Sequence, residues 1–455
     1  MSRDARAALL LALAALVLYL ANARLHTTAD LTVHTLTAAS WIREGDAGLD
    51  EYAARAFFSS GREVSGHFVS WYPPGAAVLA SLPLAALLAA GARPETELFL
   101  ALFGKVLGAL AAAASVAFVY LACRSVAGRD ASLVAALAYA FGTSTWSITS
   151  QQLWQHAPAQ LWIAAGTFLL ARGGVGAARA GLAFGLGVVA RLTDAAVALA
   201  AVLAMPRGDR LRYFAWALPA AAFLATYQWL VVGTPFAAGY PSEPWFARLD
   251  GYAGLLLSPS RGLFVYSPFL VLALVSWQRA WRGRGEHRAL LRATSLGALG
   301  VWLIHGSFGE WWGGWNFGNR YLLDTLPAFA VAIAIAIESG ALAALRAKVA
   351  FGLALGWSAA LQLAGAAYYY EFWDGRHWDV TPVLLDVNLW RLWDWADPQW
   401  LFVLRHLVAA PDAALALSLG GVVVAALLVQ LARAGSLRPS PRVHFDRAVE
   451  RGGAA

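Results

Sequence analysis

The chain has 455 residues, of which 60% are apolar and only 13% are charged, and its mean hydropathy is +0.57. Ordinary soluble chains contain about 45–50% apolar and about 25% charged residues, so this composition excludes a water-soluble globular enzyme. The single cysteine, Cys123, excludes a disulfide framework and a cysteine-cluster metal or redox site. The net charge of +7 resides in short basic clusters between apolar stretches, which is a pattern of membrane topology and not of nucleic-acid binding.

Apolar stretches of roughly 17–25 residues recur along the sequence, and a helix of this length spans a bilayer. We therefore predict an all-α polytopic membrane protein with about 11–13 transmembrane helices and no separate soluble domain. The membrane unit is predicted over residues 1–432 and begins with an uncleaved first helix. A basic cytoplasmic tail is predicted over 433–455.

The basic clusters also predict the orientation, because cytoplasmic loops carry an excess of lysine and arginine. Placing the clusters in the cytoplasm assigns five connections to the outer side, near residues 23–73, 146–156, 233–262, 308–320 and 368–410. The first and the last of these loops are long. The chemistry of the protein is therefore predicted to face outward.

Two apolar regions do not fit a simple alternation of spans. Stretches 74–90 and 98–121 together allow one net crossing, so one of them is predicted to be short, re-entrant or interfacial. Stretches 181–190 and 192–205 are each too short to span, and both outer ends lie beside basic clusters. These two are predicted to form a hairpin that dips into the membrane with Arg191 at its apex.

Asp30 is the candidate catalytic residue. It follows the first helix closely, and a carboxylate beside the hydrocarbon boundary is suited to act as a general base. The alternative is that Asp30 caps an amphipathic surface helix predicted over 30–43, since aspartate is a favoured N-cap residue. His26 and His34 share its helical face and could bind a divalent metal with it, but this pattern is weak. We predict no cofactor.

The first outer loop ends with Gly-His-Phe-Val-Ser-Trp-Tyr-Pro-Pro-Gly at residues 66–75. Proline suits the first turn of a helix, so the proline pair predicts the end of the loop and the start of the next helix. His67 and Tyr72 are candidate substrate contacts from this segment.

Two cations interrupt apolar stretches, namely Lys105 and Arg191. A charge at the bilayer centre costs roughly 2.5–3.5 kcal/mol on insertion scales, so such residues usually face a cavity or a partner. Arg191 would suit an anionic phosphate, which a guanidinium binds in bidentate fashion. The alternatives are an Arg191–Asp194 pair that staples two helices, and a lysine side chain that extends to the headgroups.

A run of polar residues fills the short connection at 145–158. The two predicted spans that it joins do not need polar side chains between them. Its hydroxyls, amides, imidazole and tryptophans suit the hydroxyls and faces of a sugar. Gln155 and His156 are therefore candidate substrate contacts. The alternative is that these residues cap helix ends or belong to an aromatic belt.

Segments 257–268 and 310–324 each place an arginine at the predicted outer mouth of a helix, within a turn whose glycines let a ligand approach the backbone. Trp312 and Asp324, in the second segment, are candidate substrate contacts. The candidate ligands of a lipid-linked phosphate are the cations Lys105, Arg191, Arg261 and Arg320. The alternative is that these cations bind headgroups of the outer leaflet.

In their order along the chain, these segments resemble the GT-C superfamily of integral-membrane glycosyltransferases. The resemblance is strongest to bacterial members related to protein O-mannosyltransferases and aminoarabinose transferases. It is carried by Asp30 after the first helix, Tyr-Pro-Pro-Gly at 72–75, and the segments 150–158, 185–191, 258–268 and 311–324.

The resemblance implies a GT-C-like helical bundle that transfers a sugar from a polyprenyl-phosphate donor. Asp30 matches the family's catalytic acid position, and Arg191 and Arg320 fall where the family places cations near the lipid phosphate. The chain departs from aminoarabinose transferases in having Trp-Tyr-Pro-Pro at 71–74 in place of Glu-Lys-Pro-Pro. It departs from protein O-mannosyltransferases in having Leu31, not glutamate, after Asp30.

These features together predict a metal-independent, inverting glycosyltransferase of the bacterial inner membrane, with its active site facing the periplasm or exterior. Its partners would be the donor lipid, the bilayer and a lipid, glycan or protein acceptor, and not nucleic acid. The alternative is a transporter or flippase of a lipid-linked anion, although the sequence has no visible internal repeat. A catalytically silent membrane scaffold would not need the outer cations and carboxylate.

Overall fold

The computed structural model describes residues 2–22, 24–25, 28–55, 60–236, 245–246, 249–368 and 385–407, with the backbone alone described for 29, 53–55 and 406–407. His26, residues 369–384 and 408–410 of the predicted last outer loop, and the whole predicted tail at 433–455 lie outside this part of the chain.

The described chain is mostly helical. Its α-helices are α1 (Arg3–Leu20), α2 (Ala29–Arg43), α3 (Gly75–Ala89), α4 (Glu97–Arg124), α5 (Arg129–Gly142), α6 (Ser144–Ser147), α7 (His156–Arg172), α8 (Val175–Ala190), α9 (Ala195–Ala201), α10 (Arg207–Val232), α11 (Asp250–Leu257), α12 (Leu263–Tyr266), α13 (Val271–Trp281), α14 (Arg288–Gly306), α15 (Leu326–Glu338), α16 (Leu345–Tyr368) and α17 (Gln399–Leu407). Short 3-10 turns cover Asp50–Arg55, Thr149–Gln151, Leu192–Asp194, Val202–Ala204, Pro268–Leu270, Leu323–Thr325, Leu385–Val387 and Leu389–Trp393.

Four of these helices, α4, α10, α14 and α16, are long and apolar enough to cross a membrane. A fifth span results if α5 and the segment 144–151 are one helix bent by 42°. Leu211, Leu218 and Leu230 of α10 are 64–79% exposed, an apolar surface that a soluble protein would not present to water. The chain is therefore a helical membrane protein. The total of about 11–13 spans stays a prediction.

Helices α3 and α4 form the pair of apolar stretches that allows one net crossing. α4 has 28 residues and α3 has 15, so α3 is the short element of the two. Thr96 caps α4, since its hydroxyl accepts a hydrogen bond from the Phe99 N–H at 3.3 Å. Glu97 in the first turn and Arg124 in the last turn oppose the helix dipole favourably.

Helix α2 is not the surface helix that its apolar spacing predicted. Every residue from 31 to 40 is buried, because the helix packs against α3 and α4. Its less apolar face carries small and hydroxylated side chains whose polar groups bond within the helix. The Thr32 hydroxyl donates to the Thr28 carbonyl at 3.0 Å, and the Thr37 hydroxyl donates to the Val33 carbonyl at 2.8 Å. This face therefore tolerates burial, and the prediction of a surface helix was wrong.

The segment predicted as the first outer loop also contains a β-hairpin, which departs from an entirely helical chain. Strands β1 (Gly61–Val64) and β2 (His67–Ser70) are antiparallel, with Gly61 opposite Ser70 and Val64 opposite His67. The two turn residues, Ser65 and Gly66, have φ angles of 54° and 86°, the left-handed geometry of a tight hairpin turn. The hairpin places Ser60, the residue before β1, against the start of α2.

The predicted interruption at Arg191 is present. α8 ends at Ala190, and Arg191 has an extended backbone (φ −148°, ψ 118°) before the 3-10 turn Leu192–Asp194 and α9. This break turns the Arg191 and Asp194 side chains into the interior, where both are buried. That the two helices dip into the membrane from the cytoplasmic side stays a prediction.

Two apolar cores position the candidate site. The larger core contains residues of α1, α4, α5, α7, α8 and α13–α15, with many alanines that allow close helix packing. The smaller core joins α2, α3 and the first part of α4.

Candidate functional site

The structure brings Asp30 and Arg320 together. One Asp30 oxygen, Oδ2, lies 3.9 Å from Arg320 Nη1, and the other, Oδ1, accepts a hydrogen bond from the Ser60 hydroxyl at 3.0 Å. The Asp30 side chain is 31% exposed, whereas that of Arg320 is 12% exposed. A carboxylate that is partly open therefore lies next to a guanidinium that is largely enclosed by protein.

Asp30 is not the N-cap of α2. The cap residue is Thr28, and Asp30 lies in the first helical turn, where its charge is stabilised by the positive end of the helix dipole. Its hydrogen bond partner is Ser60, which the β-hairpin supplies. The structure thus overturns the capping alternative and leaves the Asp30 carboxylate directed towards Arg320.

Arg320 is held by aromatic rings and by a glycine turn. Its guanidinium carbon lies 5.3 Å from the ring centre of Trp154 and 5.5 Å from that of Tyr321, so cation–π attraction orients it. Gly313 has φ 76°, and a side chain there would meet Arg320 atoms at 3.0 Å. The glycine-rich segment before Arg320 therefore gives its side chain room against the backbone.

A second group of polar side chains is fully buried around Arg191. The Arg191 guanidinium forms an ion pair with Asp324, and its Nη2 lies 3.1 Å from His305 Nε2. His156 Nδ1 lies 3.8 Å from Asp324 Oδ2. Arg191 and Asp324 are 4% and 0% exposed, so this pair is enclosed by protein. The alternative in which Arg191 pairs with Asp194 was wrong, because Asp324 takes that position.

Tyr321 and His305 connect the two groups. Their rings stack in parallel, with centres 4.4 Å apart and an interplanar angle of 2°. Tyr321 lies against Arg320 on one side, and His305 contacts Arg191 on the other. The sequence-predicted residues Asp30, Arg320 and Arg191 therefore belong to one continuous set of contacts from the partly open carboxylate to the buried ion pair.

Lys105 lies apart from these contacts, in a cage of neutral amides. Its ammonium donates to Asn22 Oδ1 at 2.8 Å and to Gln151 Oε1 at 2.5 Å, and the residue is 4% exposed. The alternative of a side chain extending to the headgroups was wrong, because the ammonium is enclosed. Through these two hydrogen bonds, Lys105 connects α4 to the end of α1 and to the turn at Thr149–Gln151.

Arg261 holds two segments together through their backbones. Its guanidinium donates to the carbonyl oxygens of Ser260 and Trp312 at 3.0 Å and of Gly314 at 3.2 Å, and the side chain is 0% exposed. Its donors are directed at protein carbonyls and not at an open cavity. We therefore remove Arg261 from the candidate phosphate ligands.

The remaining candidates from the first loop, His67 and Tyr72, have contacts within the loop and with α2. His67 is exposed at the hairpin turn, and its Nδ1 lies 2.7 Å from Asp50 Oδ2. This contact raises the pKa of His67, and the Phe68 N–H together with His67 lowers the pKa of Asp50. Tyr72 is buried with its ring 5.1 Å from that of His34. Both residues organise the loop.

The remaining candidate substrate contacts, Gln155, His156 and Trp312, are buried or half-buried. His156 begins α7 and approaches Asp324, and Gln155, the residue before it, is half-buried. The Trp312 indole is buried and donates to Asp386 Oδ1 at 3.0 Å. Of these residues, His156 and Asp324 belong to the buried group around Arg191.

Among the described residues, no group of three histidine, cysteine, aspartate or glutamate side chains is placed to hold a metal ion. His26 lies outside the described residues, so the structure describes only Asp30 and His34 of the possible metal site at His26, Asp30 and His34. His34 is buried against Tyr72, and burial lowers the pKa of His34 to about 4.

Three contributors were not identified from the sequence, namely Ser60, Asp194 as a buried acid, and His305, and the contact of Trp154 with Arg320 was not predicted either. His305 was detectable as a lone imidazole within the apolar helix α14, the kind of residue that often has a polar partner in a membrane. Ser60 carries no local signal, because a serine in a polar loop is ordinary.

The sequence matches no protein-family model, and comparisons with curated proteins and with solved structures find no similar chain. The fold and site define a helical membrane protein with a carboxylate–guanidinium pair beside a buried ion pair.

Proposed function

We propose that the protein is a glycosyltransferase that takes a sugar from a polyprenyl-phosphate donor. The observation that carries the proposal is the 3.9 Å approach of Asp30 Oδ2 to Arg320 Nη1, with Asp30 partly exposed. A base for the acceptor and a cation for the leaving phosphate must flank the same sugar. The base acts on the attacking hydroxyl and the cation acts on the leaving oxygen, and both of these groups are bound to one anomeric carbon in the transition state.

In the proposed reaction, an acceptor hydroxyl attacks the anomeric carbon of the sugar while the bond from that carbon to the phosphate oxygen breaks. The hydroxyl proton passes to the Asp30 carboxylate, and polyprenyl phosphate leaves with the bonding electrons. Arg320 stabilises the negative charge that develops on the leaving oxygen. Attack opposite to the leaving group inverts the anomeric configuration.

The supporting roles of the other cations differ. Arg191 is neutralised by Asp324 and enclosed, so we assign it to positioning Arg320 through His305 and Tyr321. Lys105 is assigned to the neutral cage that joins α1 and α4. Arg320 is therefore the principal phosphate ligand of the proposal.

The proposed location is the outer face of a bacterial inner membrane. Asp30 follows α1, whose start carries Arg3 and Arg6, and a basic start favours a cytoplasmic end for this helix. A lipid, a glycan or a protein would be the acceptor. Neither a cofactor nor a metal ion takes part in the proposed reaction.

The test uses membrane vesicles that contain native acceptors and a panel of radiolabelled polyprenyl-phosphate monosaccharides. We expect wild-type protein to transfer label from one member of the panel, and Asp30→Asn to reduce the transfer rate by about 10²–10⁴-fold, the usual contribution of a general base. Glu63→Gln is the matched control, since Glu63 is an exposed carboxylate in the same outer loop. Transfer by Asp30→Asn at the wild-type rate would remove Asp30 from the mechanism.

A second candidate function is transport of a lipid-linked anion. The observation in its favour is the buried ionisable group around Arg191, because such groups inside membranes often line ion or proton pathways. A transporter would move the labelled donor lipid intact between leaflets, and the sugar would stay attached to it.

A further inference from the structure

Asp194 is a buried carboxylate that the proposed reaction does not use. It lies in the 3-10 turn after Arg191, and the residue is 0% exposed. In the described part of the chain, no hydrogen bond donor reaches either of its carboxylate oxygens. A buried polar group of this kind is expensive unless something satisfies it, and a buried unpaired charge is more expensive still.

The side chain that Asp194 faces is a second carboxylate. Asp324 lies within hydrogen-bonding range of Asp194 and is also 0% exposed. Asp324 Oδ2 is occupied by Arg191 and approached by His156, but Asp324 Oδ1 has no hydrogen bond partner among the described residues. Three acceptor oxygens therefore meet in one enclosed space without a donor between them.

The surrounding charges do not balance two carboxylates. Among the described residues, Arg191 is the guanidinium in contact with the pair, and it comes from the end of α8. His156 from α7 lies beside Asp324, and His305 from α14 accepts a hydrogen bond from Arg191, so its Nε2 carries no proton. Arg320 belongs to the neighbouring group, and its guanidinium lies against the ring of Tyr321. Burial disfavours a charged imidazole, so with His156 neutral two ionised carboxylates would leave an excess negative charge in an apolar interior.

We infer that Asp194 and Asp324 form a proton-binding site in which Asp194 carries the proton. The Asp194 hydroxyl then donates to Asp324 Oδ1, and Asp324 stays ionised as the counter-ion of Arg191. One proton joins two of the three bare oxygens in a hydrogen bond and makes the group electrically neutral. This inference does not depend on the proposed transferase activity, because it follows from burial, contacts and charge alone.

Asp194 and Asp324 are neighbours in space but differ in protonation, and substitution by asparagine should therefore affect them differently. An asparagine at 194 resembles a protonated acid, since its amide N–H₂ donates where the carboxylic hydroxyl does. An asparagine at 324 instead deprives Arg191 of its charge partner. Asp194→Asn should therefore preserve the thermal unfolding temperature, whereas Asp324→Asn should lower it.

The direct test is infrared spectroscopy of the purified full-length protein at neutral pH. We expect wild type to show the carbonyl stretching band of a protonated carboxylic acid, and Asp194→Asn to lose it. Asp130→Asn is the matched control and should keep the band, because Asp130 is an exposed acid in the first turn of α5.

Either of two results would overturn the inference. One is a wild-type spectrum without a protonated-acid band at neutral pH. The other is an Asp194→Asn spectrum in which the band is unchanged. The spectrum needs no substrate, so failure of the transferase proposal leaves this measurement unaffected. If Asp324→Asn does not fold, the spectrum of Asp194→Asn still decides the question.

Discussion

The Asp30 carboxylate and the Arg320 guanidinium lie 3.9 Å apart, although they come from the first turn of α2 and from the segment before α15. This distance is within ion-pair range and beyond direct hydrogen bonding, and Asp30 is the more exposed partner. The pair can therefore separate around a substrate without breaking a direct hydrogen bond between the two side chains.

Arg320→Met should weaken binding of a polyprenyl-phosphate monosaccharide. A hydrogen bond to a charged group contributes about 1.5–3 kcal/mol, so we expect donor affinity to fall roughly tenfold or more. Titration of donor lipid into the detergent-solubilised protein measures the affinity. Arg391→Met is the control, because Arg391 is paired with Asp394 and Asp397 in another part of the chain. Equal affinity in Arg320→Met and wild type would exclude Arg320 as a phosphate ligand.

Breaking the Arg191–Asp324 pair should destabilise the fold strongly. Removing one partner of a buried ion pair leaves an uncompensated charge, which usually costs about 3–5 kcal/mol in the free energy of unfolding. We expect Asp324→Leu to show this loss, and the double variant Arg191→Met/Asp324→Leu to recover part of it. Thermal unfolding in detergent compares the variants. A double variant less stable than either single variant would show that the two charges are not coupled as described.

The β1–β2 hairpin should loosen at high and at very low pH. The folded-state pKa of His67 is raised, so its contribution is complete below 6.5 and disappears as pH rises through the raised value. The folded-state pKa of Asp50 is lowered, so its contribution is complete above 3.8 and disappears as pH falls through the lowered value. The contact is therefore strongest between pH 3.8 and 6.5.

Hydrogen exchange of residues 61–70, corrected for the intrinsic rate, measures this effect. Protection should be greater at pH 5.5 than at pH 8.5 in wild type (roughly one unit below and two units above an ordinary histidine pKa). His67→Ala should abolish the difference. A difference of the same size in His67→Ala would show that another group is responsible.

Arg261 should affect folding and not donor binding. Arg261→Met removes donors to three backbone carbonyls, and each buried carbonyl left without a partner costs about 1–3 kcal/mol. We expect a lower unfolding temperature and an unchanged donor affinity in the protein that remains folded. A selective loss of donor affinity would return Arg261 to the set of phosphate ligands.

Local sequence context identified the residues whose charge is unusual for their surroundings. Asp30 after the first helix, Arg191 within an apolar stretch and Arg320 in a glycine-rich turn all stand out in this way, and the structure connects them. The break at Arg191 followed from helix length alone. A charge in an apolar context is detectable because its cost must be met by tertiary structure.

The partners of these residues were not predictable, since pairing depends on distant segments. Arg191 and Asp324 are 133 positions apart, and Asp194 offered a local partner that proved wrong. The burial of α2 was missed because hydroxylated residues look polar in sequence but bond within their own helix. The β-hairpin did have a local signal, because Ser65-Gly66 is a turn-forming dipeptide between short segments of mixed polarity.

The stoichiometry of leaving-group release tests the central proposal most directly. Wild-type protein reconstituted in liposomes with native acceptor and the donor lipid that it uses should release one polyprenyl phosphate for each sugar transferred. Asp30→Asn should release it at a rate at least about a hundredfold lower. Movement of intact donor lipid between leaflets with no release of polyprenyl phosphate by the wild type would contradict the account.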